Sequence, residues 1–229
     1  MKFWGVYSLG GVAGDYTRNQ IFSLGAGYSR GPFSAGIGYL NVRDPNVSFW
    51  GNTGAPAAVV GGIPGANFAG SPITTGFASA HTSQTIAAGA DYKLGQFLLG
   101  GNYSNTKFMA LGNTSAGPVP AGGISGTATF NTGELNVTYQ ATPAFSLNAA
   151  YSYMKTSGVT GFTGAKYQQA ALDASYSLSK ETILYILGVY QKASGIDSTG
   201  HDAVASIYTV SPSTSNHQGI IRVGLEKKF

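Results

Sequence analysis

The stretch FSLGAGYSRGPFSAGIGY (residues 22–39) alternates apolar residues with small or polar ones. Every second residue is apolar from Phe22 to Tyr28 and again from Phe33 to Tyr39, on either side of the triplet Arg30-Gly31-Pro32. Successive side chains of a β-strand point to opposite faces. The pattern therefore predicts a hairpin with one apolar face and one face of glycine, alanine and serine.

Three further stretches repeat this hairpin pattern. They span residues 86–103, 135–152 and 170–191, with short turns near residues 93–96, 141–144 and 178–181. A first strand around Phe3–Gly10 and a last one over Gln218–Phe229 bring the total to about ten strands. The chain is thus predicted to be all-β, with antiparallel strands.

The composition excludes several other classes of protein. Glycine supplies 34 of 229 residues, roughly twice its usual share, which disfavours a helical bundle. Hydrophobic residues make up 43% of the chain, more than a disordered chain carries. The longest apolar run, Ile183–Tyr190, is too short for a membrane-spanning helix. The absence of cysteine excludes disulfides, and the scattered basic residues predict no nucleic-acid partner.

The connections between predicted strands fall into two alternating classes. Short turns share one rim, and mostly long connections share the other, as in transmembrane β-barrels. Aromatic residues of the apolar face flank the short turns, which is typical of the girdles at membrane interfaces. A soluble β-sandwich is the alternative, but its loops would not sort by rim.

The long connections span residues 10–20, 44–82, 109–126, 156–165 and 193–215, and we expect 44–82 and 109–126 to be solvent loops. The flanking aromatics are Tyr28, Phe33, Tyr92, Phe97, Tyr139, Phe145 and Tyr176, together with Phe229 at the end of the chain.

Few residues offer catalytic chemistry. The three histidines, His81, His201 and His217, fall in or beside long connections. We compared one group of residues with the Asp/His sites of barrel proteases of the omptin type, namely Asp197, His201 and Asp202. Their spacing matches no recurrent catalytic or calcium-binding pattern. We therefore predict no enzymatic activity, no metal and no cofactor.

The polar face carries a sparse set of charged and amide side chains. In a channel such residues set ion preference through their field and their hydration. We predict that the lumen is lined by Asp91, Asn102, Glu134, Asn136, Asp173 and Arg222.

The segment IRVGLEKKF (residues 221–229) ends in phenylalanine and has Ile221, Val223 and Leu225 at alternate positions. It resembles the C-terminal assembly signal of outer-membrane porins, although Lys227 departs from strict alternation. Lys228, the basic penultimate residue, resembles the variant used by beta-proteobacteria. Residues 7–14, 39–45, 178–180 and 188–193 are also similar to the general, trimeric, sixteen-stranded porins of that group.

This resemblance implies a passive diffusion channel for small hydrophilic solutes and ions in the bacterial outer membrane. It also implies contact with outer-membrane lipid, assembly by the barrel-assembly machinery through Phe229, and a homotrimer of the full-length parent.

Members of that family are longer than this chain. We expect residues 1–229 to form one transmembrane β-barrel domain, the C-terminal ten strands of a sixteen-stranded porin. On this view the N-terminal strands, the inward constriction loop and the signal peptide are absent, and the chain is a partial barrel. The alternative left open is a complete ten-stranded barrel acting as a surface protease or adhesin.

Overall fold

The computed structural model describes residues 1–10, 14–17, 20–45, 71–112, 124–159, 161–208 and 210–228, and the backbone of residues 59–60 and 63–64. Within these ranges, the structure contains no helix with the length and hydrophobicity needed to span a membrane. The strands are β1 (Lys2–Ser8), β2 (Ile21–Arg30), β3 (Phe33–Arg43), β4 (Val59–Val60), β5 (Ile63–Pro64), β6 (Thr82–Leu94), β7 (Phe97–Leu111), β8 (Gly126–Thr142), β9 (Phe145–Thr156), β10 (Ala165–Ser177), β11 (Thr182–Gly195) and β12 (His217–Lys227). A 3-10 helix spans Thr75–Phe77.

Ten of these strands form one antiparallel sheet in the order β1-β2-β3-β6-β7-β8-β9-β10-β11-β12. Each strand pairs with its neighbours along the chain, and β4 and β5 form a separate small hairpin. The predicted all-β architecture of ten antiparallel strands is confirmed. Within the described ranges, β1 pairs with β2 and β12 pairs with β11, so the sheet has two edges.

The aromatic residues that flank the short turns form a row across adjacent strands. The rings of Tyr28 and Phe33 lie 6.3 Å apart between centroids, and those of Phe97 and Tyr139 stack at 4.8 Å. Phe145 and Tyr176 continue the row at 6.4 Å. Phe229, which the sequence places in the same girdle, lies outside the described residues. The row marks one edge of the apolar face, as a membrane interface requires.

The two faces of the sheet differ in polarity. Directly paired residues point to the same face, so the strand register assigns each side chain. On the apolar face, Leu135, Leu172 and Ile221 are 73%, 66% and 80% exposed, and many other large hydrophobic side chains are exposed beside them. A continuous exposed apolar surface of this kind is stable only in contact with lipid or another apolar partner.

The buried core lies at the rim of the long connections, on the polar face. Phe77, Ala80 and Ile124 from the connections pack against Phe108 and Phe130 from β7 and β8. The expectation that connections 44–82 and 109–126 are solvent loops is therefore wrong for residues 77–80 and 124. The cause is the hydrophobic effect. These connections carry large apolar side chains, which pack against apolar side chains at the long-connection rim of the ten-stranded sheet, which we call the wall.

Candidate channel lining

All six side chains predicted to line the lumen lie on the polar face, as the strand register shows. Asn102 and Asn136 each donate from Nδ2 to Oε1 of Glu134 at 3.4 Å. Asp91 and Asn136 flank Gly100, and a Cβ at Gly100 would run into the side-chain oxygens of both. The small residue at this position leaves room for the polar groups beside it.

Asp173 anchors a second polar group, which spans β8, β9 and β10. Its Oδ1 accepts from Asn148 Nδ2 at 2.7 Å and from Ser175 Oγ at 2.9 Å. Thr138 Oγ1 in turn donates to Asn148 Oδ1 at 2.7 Å. Arg222 lies two strands away on the same face, since Leu187 pairs with both Asp173 and Arg222. The wall thus presents negative and positive groups at one level.

An aromatic cluster covers the polar face near the long-connection rim. The Phe77 ring stacks on Phe108 at 5.9 Å and meets Phe130 edge-on at 5.7 Å. Phe108 and Phe130 point to the same face as Asn102 and Glu134, because each is an even number of residues from them along its strand. The connection before β6 therefore folds onto the wall and occupies space on its polar side.

The connection between β11 and β12 is held to the same face by two glutamines. Gln191 Oε1 accepts from the Ser206 backbone N–H at 2.6 Å, and Gln218 Oε1 accepts from that of Ile207 at 2.8 Å. Gln191 Nε2 also donates to Gln169 Oε1 at 3.0 Å. These bonds tie the backbone of the connection to wall side chains.

Ser198 joins the two inward connections to each other. Its Oγ donates to the Pro72 carbonyl at 2.6 Å and accepts from the Gly76 backbone N–H at 2.9 Å. A Cβ at Gly76 would collide with the backbone of Ser198, so a side chain cannot be added without separating the segments. We call residues 71–80 and 197–207, which meet here, the rim assembly.

Sequence reasoning did not identify the rim assembly. One signal was present: Phe130 is in phase with Glu134 and Asn136, so a large aromatic side chain interrupts an otherwise polar face. Such a break indicates that something apolar covers the face at that level. The sequence gives no indication of which segment covers it.

Among the described residues, no histidine ring pairs with an acidic side chain. His201 Nδ1 lies 3.0 Å from Thr199 Oγ1, and Thr199 Oγ1 also donates to Asp197 Oδ1 at 2.7 Å. Asp197 Oδ1 further accepts from the Thr199 backbone N–H at 2.8 Å, which closes an Asx turn. His81 and His217 contact Thr82 and Asn216. Within the described ranges, no three His, Cys, Asp or Glu residues form a metal-binding group.

The residues of the predicted C-terminal signal lie on β12 and just beyond it. Ile221, Val223 and Leu225 point outward on the apolar face and are well exposed. The backbone N–H of Lys228 donates to the Glu181 carbonyl at 2.9 Å, which secures the end of the strand. Phe229 is outside the described residues.

Residues 5–195 match the family model for Gram-negative porins. The chain belongs to the Gram-negative porin family. Its membership, together with the outer-membrane proteins that share its fold, places this porin in the bacterial outer membrane.

Solved structures of outer-membrane proteins share the fold at low identity. OmpT of Vibrio cholerae, an outer membrane protein, is 15% identical with a TM-score of 0.62, and the match covers 98% of this porin and 60% of OmpT. The anion-selective porin of Comamonas acidovorans is 17% identical with a TM-score of 0.61, covering 97% and 54%. OmpF of Salmonella typhi, in complex with daunomycin, is 15% identical with a TM-score of 0.51, covering 97% and 56%. The chain thus spans little more than half the length of these proteins. The sequences of curated proteins give no match.

Proposed function

We propose that this chain forms the wall of a passive diffusion channel for small hydrophilic solutes and ions across the outer membrane. The observation that carries the proposal is the division of the sheet into two faces. One face is apolar and exposed, as lipid contact requires, and the other bears hydrogen-bonded carboxylates and amides. In this arrangement Asp91, Asn102, Glu134, Asn136, Asp173 and Arg222 face the water-filled lumen.

The chain acts as one domain and as part of a larger barrel. Two features support this: the sheet has two edges among the described residues, and the chain spans 54–60% of the length of the first structures that it resembles. Backbone groups at an unpaired edge in hydrocarbon cost several kcal/mol each. Further strands would therefore pair with β1 and β12 in the complete channel, which we propose is a sixteen-stranded barrel that assembles as a homotrimer.

Assembly in the membrane depends on the C-terminal strand. Its outward residues Ile221, Val223 and Leu225 meet outer-membrane lipid, and Phe229 serves with Lys228 as the signal for the barrel-assembly machinery. The exposure of these outward side chains supports their contact with lipid.

Thiol labelling tests the assignment of the two faces, and the chain contains no cysteine that would interfere. Cysteine is introduced at Asn102, Asn136 or Asp173 on the polar face, and at the matched positions Leu99, Val137 or Leu172 on the apolar face. In outer membranes, a water-soluble maleimide should label the first set and spare the second. Equal labelling of both sets would contradict the proposal.

A further inference from the structure

Four strands carry a cation at the same distance from the short-turn aromatic row. The pairs Phe33 and Arg43, Phe97 and Lys107, Phe145 and Lys155, and Lys166 and Tyr176 are each ten residues apart. The separation is even, so each cation points to the apolar face like its aromatic partner. Ten residues span ~34 Å along a strand, or about 26 Å along the bilayer normal at a tilt of ~40°. The outward apolar band of such barrels is about 25 Å tall, so these cations lie at the opposite membrane interface.

Two lysines of this level, Lys155 and Lys166, form a cluster with Lys192, which lies on β11 two residues closer to the short-turn aromatic row. Lys155 and Lys166 are directly opposite each other. Lys166 pairs with Ser194, which places Lys192, two residues earlier on β11, on its diagonal at roughly 7–8 Å. All three side chains are exposed. Like charges directly opposite each other are destabilising, so the cluster favours a bound anion.

The outward face of the ten strands supplies no carboxylate to neutralise these lysines. Within the strands that the structure describes, the acidic residues are Asp91, Glu134, Asp173 and Glu226, and all four point to the polar face. No carboxylate of the strands can therefore serve as the anion for this cluster.

Two amides border the cluster with their oxygens already bonded. Asn131, opposite Lys155, accepts from Tyr103 Oη at 2.7 Å and from Asn105 Nδ2 at 2.8 Å through its Oδ1. Gln168, opposite Lys192, accepts from Tyr151 Oη at 3.1 Å through its Oε1. Among the described residues, neither amide NH2 group has a hydrogen-bond acceptor, so both can donate and add neutral donors to the three ammonium groups.

We propose that Lys155, Lys166 and Lys192 bind the phosphate groups of lipid headgroups in the leaflet on the long-connection side. The position at the interface favours a lipid headgroup over a solute, since Tyr151, Tyr153 and Tyr190 are exposed on the same face and tyrosine is enriched at membrane interfaces. Ammonium groups bind phosphate through charge-assisted hydrogen bonds. The inference uses the orientation of the wall in the membrane and does not depend on channel activity.

Native mass spectrometry of the porin, extracted in its outer-membrane assembly, tests this site with bisphosphorylated lipid A as the probe. The triple variant K155Q/K166Q/K192Q is expected to bind lipid A about a hundredfold more weakly, since each lysine contributes about a factor of five near an anionic surface. The matched control is Lys227→Gln, an exposed outward lysine at the opposite rim, which should bind as the wild type does. Heat-modifiable migration verifies that each variant is folded, and Lys166→Arg should retain binding.

Two further arms separate the possible sources of the anion. Dephosphorylated lipid A should lose the preference for wild type over the triple variant, and inorganic phosphate at millimolar concentration should not displace the lipid. Displacement by inorganic phosphate would instead indicate a site for free phosphate and overturn the lipid assignment. Equal binding of lipid A by wild type and triple variant would also overturn it, as would loss of oligomers with lipid binding unchanged, which would place the lysines between copies of the chain.

Discussion

Gly76 lies directly against Ser198, 122 residues later in the chain, and its backbone N–H donates to Ser198 Oγ at 2.9 Å. This contact joins the connection before β6 to the connection between β11 and β12, on the polar side of the wall. The rim assembly that results occupies space on the polar side of the wall. Substitutions within residues 71–80 or 197–207 can alter these contacts and leave the sequence of the strands unchanged.

Gly76→Val should separate the two connections, because a Cβ at this position collides with the Ser198 backbone. Overpacking of this kind typically costs about 1–3 kcal/mol. We expect faster proteolytic cleavage within residues 71–80 and 197–207 while the wall remains folded. Gly188→Ala is the control, since a Cβ there meets nothing within 4 Å. Identical cleavage of the two variants would show that the contact does not hold the connections together.

Phe77→Ala should loosen the rim assembly by removing the ring that packs on Phe108 and Phe130. Truncation of a buried phenylalanine costs about 3–5 kcal/mol. Amide exchange at Ala80 and His81, whose N–H groups donate to Phe77 and Met109, should accelerate by about a hundredfold or more. Tyr208→Ala, at a side chain that is 91% exposed, should leave these rates unchanged. Unaltered exchange in Phe77→Ala would contradict the role of the cluster.

Glu134→Gln should shift ion preference toward anions. The substitution removes one negative charge from the polar face but keeps an oxygen that can accept from Asn102 and Asn136. We expect the cation-to-anion permeability ratio, measured as a reversal potential in a salt gradient, to fall by roughly twofold at low ionic strength. Glu181→Gln, in the short turn between β10 and β11, is the control. If both variants shift the potential equally, Glu134 does not face the conducting path.

Deletion of Phe229 should reduce assembly of the porin in the outer membrane. We propose, from the family resemblance, that the assembly machinery reads this terminal aromatic residue. The measurement is the amount of heat-modifiable barrel in outer-membrane fractions. Phe145→Leu, which alters another aromatic residue of the short-turn row, should have a smaller effect. If the deletion variant assembles heat-modifiable barrel in wild-type amounts, Phe229 is only one aromatic residue of the girdle among several.

Residues 1–229 without further strands should not conduct as a complete porin does. The inward positions are mostly small residues, which suit the wall of a wide, water-filled barrel rather than a narrow filled one. The purified chain should give no porin-sized conductance steps in planar bilayers. Reproducible steps of that size would show that the chain closes or oligomerises into a pore by itself.

The strands could be predicted from the sequence because one local rule governs them. A period of two places Phe97 and Leu99 on one face and Asn102 on the other, and the register of β7 with β6 and β8 agrees. The rim assembly could not be predicted in this way. Its contacts join Gly76 to Ser198 and Phe77 to Phe130, far apart in sequence, and no periodicity relates them.

The lysine cluster could be predicted from the sequence only in part. Pairing of β11 with β10 is needed to place Lys192 outward, because residues 183–190 do not alternate with polar ones, but the outward position of Lys155 and Lys166 follows from strand alternation alone. Their proximity does not, because it depends on the register between β9, β10 and β11. If that register shifted by one residue, each lysine would lie opposite a residue whose side chain now points to the polar face.

Reaction of a cysteine on the polar face during conduction would show whether that face lines the channel. Asn136→Cys and Val137→Cys differ by one residue on β8 and point to opposite faces. The porin in its native outer-membrane assembly is inserted into a planar bilayer, and a charged methanethiosulfonate reagent is added. We predict a stepwise fall in single-channel conductance for Asn136→Cys and a constant conductance for Val137→Cys. A constant conductance in both, or a fall in Val137→Cys alone, would contradict the claim that the polar face lines the channel.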